Sequence, residues 1–344
     1  MSSVKFRDGK TVSDYGTPYV IAEVNSSHNG APEVARRMID VAAEAGCDCV
    51  KFQSWSTESL YSKTYYKQNP IAKRFVDKLS MAPEALKEMA MYCKEKGVAF
   101  SSTPYSREEV DFLAEECDVA FIKISSMEVN NPGYLEYIAK KGLPIVLSTG
   151  MADFDEVNKA VHILEGAGNY NVAILHCVSI YPTPIDRANI NNILGLRKLF
   201  PNHPVGFSDH TIGDEAAVAA TVLGAAILEK HITLDSAKIG MDNQMAMEPE
   251  PLKLLVHKCK TIRSALGAEE RCLLPEEIKQ RDNMRRSIVV TRDIRAGERL
   301  SRGDLDVKRP GNGIPPVELE KVIGCVVKKD IESDTVLVLS DLDI

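Results

Sequence analysis

Positions 204–235, PVGFSDHTIGDEAAVAATVLGAAILEKHITLD, hold the densest group of residues able to do chemistry. Ser208, Asp209 and His210 follow one short apolar run, and Glu229, Lys230 and His231 end a second. A segment of helical composition, 216–223, lies between them. Neighbouring strands of a parallel sheet carry their C-terminal ends to the same edge. His210 and His231 would then stand side by side above one rim. Two imidazoles there can hold a divalent metal and leave coordination positions open for substrate. Each could equally do no more than bond a backbone group.

The elements that would position these residues recur along the chain. Apolar runs at 19–24, 48–54, 98–104, 119–128, 144–150 and 171–177 precede the two strands of that stretch. Helical patterns separate the runs, for example at 32–45, 83–96, 107–116, 133–141, 154–166 and 189–200, and another follows at 250–266. Eight strand–helix units in this cadence predict a closed (β/α)8 TIM barrel. A doubly wound sheet is the alternative, but no GxGxxG fingerprint follows any strand. Barrel active sites form at the C-terminal strand ends. Read in order, those ends carry Glu23, Lys51 and Gln53, Ser102 and Thr103, Lys123 to Glu128, Ser148, His176, Ser208 to His210, and His231. Loading one rim in this way favours a functional role for the histidines.

Positions 55–80 form a polar excursion of the length expected for a lid. The expected organisation is a barrel over 1–274, a charged linker over 275–285, and a small, mostly β domain over 286–344. In that domain KRPGNG (308–313) puts two cations on a glycine-rich loop, which read alone is a solvated turn. The chain has 344 residues, 44% hydrophobic and 26% charged, with a formal net charge of −7. Without a basic excess, nucleic acid is not an expected partner. The polar N-terminus and the lack of a long apolar run predict a cytoplasmic protein that does not enter a membrane. The eight cysteines show no CxxC spacing and are expected to be reduced thiols.

AEVNSSHNG, VKFQ, SSTP, IKISSMEVNN, LSTGM, LHCVSIYPTP, GFSDHT, LEKHITLD and VKRPGNG occur in this order. Together they make the chain resemble the sialic acid synthase family over essentially its whole length. The trailing domain resembles the antifreeze-like (SAF, β-clip) type. The resemblance implies a transferase that condenses phosphoenolpyruvate with the open-chain aldehyde of an N-acetylated hexosamine. The product is a nine-carbon 2-keto sugar acid, and phosphate is released. It also implies that His210 and His231 hold a divalent ion, manganese or magnesium. Glu128 would activate or position the water, Glu23 would orient the sugar or metal-bound water, and Lys51 and Lys123 would clamp phosphoenolpyruvate. Gln53, Thr103, Ser126, Ser148, Ser179 and Ser208 would assist them, while Tyr181 and Asp242 would face the sugar. Arg309 would reach the other subunit's site and meet the N-acetyl group, which implies a domain-swapped homodimer of C2 symmetry.

Three places depart from the family pattern: Ser27 where Asn is usual, Met127 before the motif glutamate, and Met241 with Asn243 in place of the usual GPDH. They alter the sugar-facing wall. The acceptor is therefore open among N-acetylmannosamine, its 6-phosphate, and a diacetamido-trideoxyhexose leading to legionaminic or pseudaminic acid. No arginine cluster announces a second phosphate, which favours an unphosphorylated sugar. Two rivals compete: a class I aldolase working through Lys51, Lys123 or Lys230, and a non-catalytic carbohydrate- or ice-binding protein.

Overall fold

The computed structural model describes residues 2–238 and 240–343. The chain divides after Gly267 into two compact units.

The first unit opens with an antiparallel hairpin, β1 (Ser3–Lys5) and β2 (Thr11–Ser13). Eight parallel strands follow: β3 (Tyr19–Glu23), β4 (Cys49–Gln53), β5 (Ala99–Thr103), β6 (Ile122–Ile124), β7 (Ile145–Ser148), β8 (Val172–Cys177), β9 (Val205–Asp209) and β10 (Ile227–His231). They pair in sequence order, and β10 closes the ring against β3. The fold is the expected TIM barrel. Helices cover the outside, so the strands are buried on both faces and read as apolar runs rather than as alternating ones.

The helix Pro32–Ala45 shows why such segments form. Ala35, Met38, Ile39, Ala42 and Ala45 recur on one buried stripe, Pro32 starts the helix, and Gly46 ends it in a left-handed turn. The 55–80 excursion is helical, with Thr57–Leu60, Lys63–Gln68 and Pro70–Leu79 packed over a small core of Trp55, Tyr66, Val76 and Leu79.

The N-terminal lead-in, expected to be merely polar, is the β1–β2 hairpin. Val4, Phe6 and Val12 join Tyr19, Ile21, Cys49, Phe121, Val146, Leu175 and Ile227 in one apolar cluster inside the barrel. The Phe6 ring lies 4.7 Å from Phe121 and 5.1 Å from Tyr19. The hairpin thus closes the N-terminal end of the barrel.

In the second unit, β11 (Ser287–Val290) pairs with β12 (Leu305–Lys308), and β13 (Val326–Val327) with β14 (Leu342–Asp343), all antiparallel. Ile288, Val290, Leu300, Ile314, Leu337 and Leu342 are among its core residues. Positions 275–285, read as a linker, carry the helix Pro275–Met284. The glycine-rich loop tucks against that helix: the Gly311 N–H donates to Asp282 O at 2.7 Å, and a Cβ on Gly311 would meet Arg281 O at 2.6 Å. The tuck leaves Arg309 exposed and, among the described residues, without an ion pair, whereas Lys308 pairs with Asp334 at 2.5 Å. Among the described residues no helix is long and apolar enough to cross a membrane, and all eight cysteines are free thiols.

Candidate active site

Strand alternation decides which residues face the inside of the barrel. On β3 the inward set is Tyr19, Ile21 and Glu23, on β4 Cys49, Lys51 and Gln53, and on β10 Ile227, Glu229 and His231. The deeper members are apolar and the upper ones are polar. Register makes the upper ones neighbours, because Glu23 stands beside Lys51 on one side and His231 on the other, and Ser208 stands beside Glu229. The result is a pocket of about 330 Å³ at the C-terminal end of the strands. Its size lies within the range of small-molecule sites.

Four buried charges form the floor. Lys51 Nζ meets the Glu23 carboxylate, donates to Thr103 Oγ1 at 3.2 Å and lies 3.8 Å from Glu229. Lys123 Nζ lies 3.4 Å from Glu229, which also accepts from Ser208 Oγ at 2.9 Å. Burial works against every one of these charges. It raises Glu23 to about 7, helped by the neighbouring Glu229 and opposed by Lys51. It would raise Glu229 as well, but Lys123 and Lys51 outweigh it and hold that carboxyl down at about 2. It lowers Lys123, whereas Lys51 is held up by its two carboxylates. Glu229 is therefore the permanent anion of the floor and Glu23 the one able to exchange a proton near neutrality.

Gln53 is fixed by three atoms. Its amide donates to Glu23 at 3.1 Å and accepts from Trp55 Nε1 at 2.9 Å and Tyr105 OH at 3.1 Å. On another wall the Gly150 N–H donates to Ser126 Oγ at 2.9 Å and Cys177 Sγ at 3.1 Å. A Cβ on Gly150 would strike Ser179 Oγ at 2.2 Å, so only glycine permits this cluster of small polar groups. The hydroxyls of Ser125 and Ser148 are buried on the same wall without a hydrogen-bond partner among the described residues.

The imidazoles of His210 and His231 are 5.3 Å apart, and Tyr181 covers His210 at 4.3 Å. His210 Nδ1 lies 2.8 Å from Val178 O. A carbonyl can only accept, so Nδ1 carries the hydrogen and Nε2 keeps a free lone pair. Burial holds both rings below the usual histidine range, His231 well below it, so both are neutral donors near pH 7. His231 Nδ1 is buried without a hydrogen bond, 3.6 Å from Asp242. Burial raises Asp242 to about 6 despite a hydrogen bond from Asn25. Among the described residues no set of three or more His, Cys, Asp or Glu side chains is grouped as a metal site. Two neutral imidazoles with unclaimed nitrogens fit a cation whose remaining ligands come from substrate and water.

Of the residues singled out in the sequence, Glu23, Lys51, Gln53, Thr103, Lys123, Ser126, Ser148, Ser179, Tyr181, Ser208, His210, His231 and Asp242 line this one pocket. Glu128 does not line it. Its half-buried carboxylate sits on a short turn and accepts from Asn131 Nδ2 at 2.8 Å. Arg309 belongs to the second unit. Asn25, Tyr105 and above all Glu229 were not singled out as site residues. His231 two positions on was the available signal for Glu229, since a two-residue step keeps a side chain on the same face. Lys230 faces the other way, bonding Asp209 at 2.8 Å and Thr211 O at 2.6 Å, so it is a structural ion pair.

A TIM barrel with acids, lysines and imidazoles gathered at its C-terminal end, followed by a small β unit, defines a class of enzyme-like architecture. Comparison with known proteins makes this specific. The NeuB family model matches residues 38–271, and the SAF domain model matches 285–343. The chain belongs to the NeuB family. It is 36% identical to N,N'-diacetyllegionaminic acid synthase of Campylobacter jejuni, over 92% of this chain and 98% of that one. It is 35% identical to N-acetylneuraminate-9-phosphate synthase of Mus musculus, over 95% and 93%. The crystal structure of N-acetylneuraminic acid (sialic acid) synthetase from Leptospira borgpetersenii in complex with citrate superposes with a TM-score of 0.74. The two are 30% identical over 82% of this chain and 98% of that one.

Proposed function

We propose that this protein is a nonulosonic acid synthase. It would join phosphoenolpyruvate, the open-chain aldehyde of an N-acetylated hexosamine and water into a nine-carbon 2-keto sugar acid and phosphate. The observation that carries this reading is the pocket floor. With Glu23 protonated, Lys51 and Lys123 face a single carboxylate, Glu229, and the floor holds a net positive charge in a buried setting. A compact polyanion with a carboxylate and a phosphate suits that floor, and the unclaimed hydroxyls of Ser125 and Ser148 offer donors to it.

The bond-forming step runs from carbon 3 of phosphoenolpyruvate to the aldehyde carbon. Water then adds at carbon 2, and phosphate leaves by cleavage of the carbon–oxygen bond. Buried, raised to about 7 and oriented by Gln53 and the Asn25 N–H, a protonated Glu23 is suited to give its proton to the aldehyde oxygen as the carbon–carbon bond forms and then, ionised, to take one from the attacking water. We assign Glu128 a lesser role at the mouth. His210 and His231 would hold a divalent ion, and imidazole donors suit manganese better than magnesium. Such an ion supplies Lewis-acid polarisation of the aldehyde oxygen.

We further propose the domain-swapped C2 homodimer in which Arg309 of each subunit serves the other's pocket. Supporting it, Arg309 is exposed on a tucked loop, and the barrel mouth exposes Met127, Met151, Ile180, Tyr181, Ile212 and Met241, an apolar ring suited to a partner. Mixing inactive His210→Ala with inactive Arg309→Ala protein should restore activity, because a hybrid dimer keeps one intact site. No recovery would contradict the swap.

The whole reading is tested by phosphate release. Protein with manganese, phosphoenolpyruvate and an N-acetylated hexosamine should release phosphate only when all are present, and EDTA should stop it. Lys123, pushed down by burial, is the lysine a Schiff-base aldolase would use. Borohydride trapping of pyruvate on Lys123, with no need for metal, would replace the proposal with that one.

A further inference from the structure

The 55–80 segment reaches the pocket through its own core. Trp55, Leu60 and Tyr61 line the pocket wall, as does Tyr105 from the loop after β5. Trp55 is buried with Tyr66, Val76 and Leu79 in the small core under the three short helices, and Leu60 and Tyr105 pack against that core. The same Trp55 and Tyr105 hold the Gln53 carbonyl, the indole at 2.9 Å and the phenol at 3.1 Å. An indole N–H can only donate, so the atom it meets is the amide oxygen. The Tyr105 hydroxyl takes that oxygen's second lone pair. The amide NH2 is left to face Glu23, to which it donates at 3.1 Å. The Glu23 oxygen that accepts it also accepts the Asn25 N–H at 3.0 Å, while the other oxygen meets Lys51. Half a turn of the Gln53 amide would set its NH2 against the indole N–H, which would then lack an acceptor in a buried setting.

From this we infer that Trp55 and Tyr105 are positioning residues, through which the packed 55–80 segment fixes the Gln53 amide and with it the Glu23 carboxylate. Their effect on turnover rests on the synthase reading. The donors and the apolar core share the same side chains, so the two hydrogen bonds form only where the segment is packed. Val76 and Leu79 come from its last helix, Pro70–Leu79, so the far end of the segment sets the indole as much as the near end does. With the segment loosened, the amide is free to turn, and Glu23 keeps only Asn25 and Lys51 to orient it.

The protein has a single tryptophan, so the Trp55 indole gives one cross-peak in a proton–nitrogen spectrum of protein carrying ¹⁵N-labelled tryptophan. Exchange of that proton with deuterated water reads the hydrogen bond without any turnover, and should be slow in the parent protein. Phosphate release reads its consequence. Tyr105→Phe and Trp55→Phe each leave one donor on Gln53 and should lower kcat about threefold. The double variant leaves none and should lose about a hundredfold, more than the product of the singles, with the KM for phosphoenolpyruvate within about twofold of the parent. Val76→Ala removes no hydrogen bond from the pocket, yet should speed exchange of the indole proton and lower kcat about tenfold at unchanged KM. A double variant that loses no more than the product of the singles overturns the positioning role. Parent-like exchange and turnover in Val76→Ala overturn the link to the segment. A parent protein that releases no phosphate with any acceptor overturns the synthase reading, and indole exchange in Val76→Ala still decides whether the segment holds the amide.

Discussion

The two ends of the barrel are built from the same strands and obey opposite rules. At the N-terminal end the inward side chains are Tyr19, Cys49, Val146 and Ile227, sealed by Val4, Phe6 and Val12 of the hairpin. Four residues further along β3 and β10 the same inward column carries Glu23 and His231. Removing apolar area from water stabilises the closed end by about 25 cal/mol per Å². Burying two carboxylates and two ammonium groups at the open end costs free energy that their mutual attraction only partly offsets. The closed end holds the ring in shape, and the open end uses that rigidity to keep costly groups in place.

The difference can be broken from either side. Glu229→Ala leaves Lys51 and Lys123 facing Glu23 alone, and should cost about 3–5 kcal/mol of stability together with nearly all activity. Glu229→Leu combined with Lys123→Met should recover most of that stability in a urea titration while remaining inactive. A double variant no more stable than the single one would show that the charged floor is itself stabilising. Phe6→Ala, at the other end, should cost about 3 kcal/mol yet leave both KM values where they were. A large KM change would mean that the two ends are not independent.

Glu23 should show the difference as a pH dependence. Its folded pKa, about 7, lies above the ordinary carboxyl value of 4.5. The folded state therefore holds the proton more tightly than the unfolded one. The stability tied to that proton is fully present below about pH 4.5 and is lost as pH rises through 7. In EDTA, Glu23→Gln should gain on the parent protein by about 2 kcal/mol between those limits. A constant difference would place Glu23 in the ordinary range. Turnover should fall further in Glu23→Gln than in Glu128→Gln, and the reverse would return the proton transfer to Glu128. The smallest effect on stability belongs to His210→Ala, about 1 kcal/mol or less, although manganese binding by isothermal titration should disappear. Undiminished binding would remove His210 from the metal site.

How much of this was legible depended on local physics. The barrel strands show in the sequence because both their faces are buried, which turns each into an apolar run punctuated by a polar end. Lys51 and Lys123 stood out because a cation interrupts such a run. Glu229 did not, since it sits beside the equally buried Lys230 and only the two-residue period of β10 sends one into the pocket and the other to Asp209. The hairpin was missed because two three-residue strands carry too few alternations to register. Crosslinks such as Ser27 to Asn243 join positions far apart in the chain, and only the closed ring brings them together. Glu128 shows the converse, since a motif fixes its position in sequence but not the direction of its side chain.

In the proposed reaction phosphate leaves by carbon–oxygen cleavage after attack on an aldehyde. Phosphoenolpyruvate labelled with ¹⁸O at its bridging oxygen tests that most directly, with mass spectrometry of both products. The label should appear in the released phosphate, with unlabelled oxygen from water at carbon 2 of the keto acid. Label retained in the keto acid, with unlabelled phosphate, would contradict it.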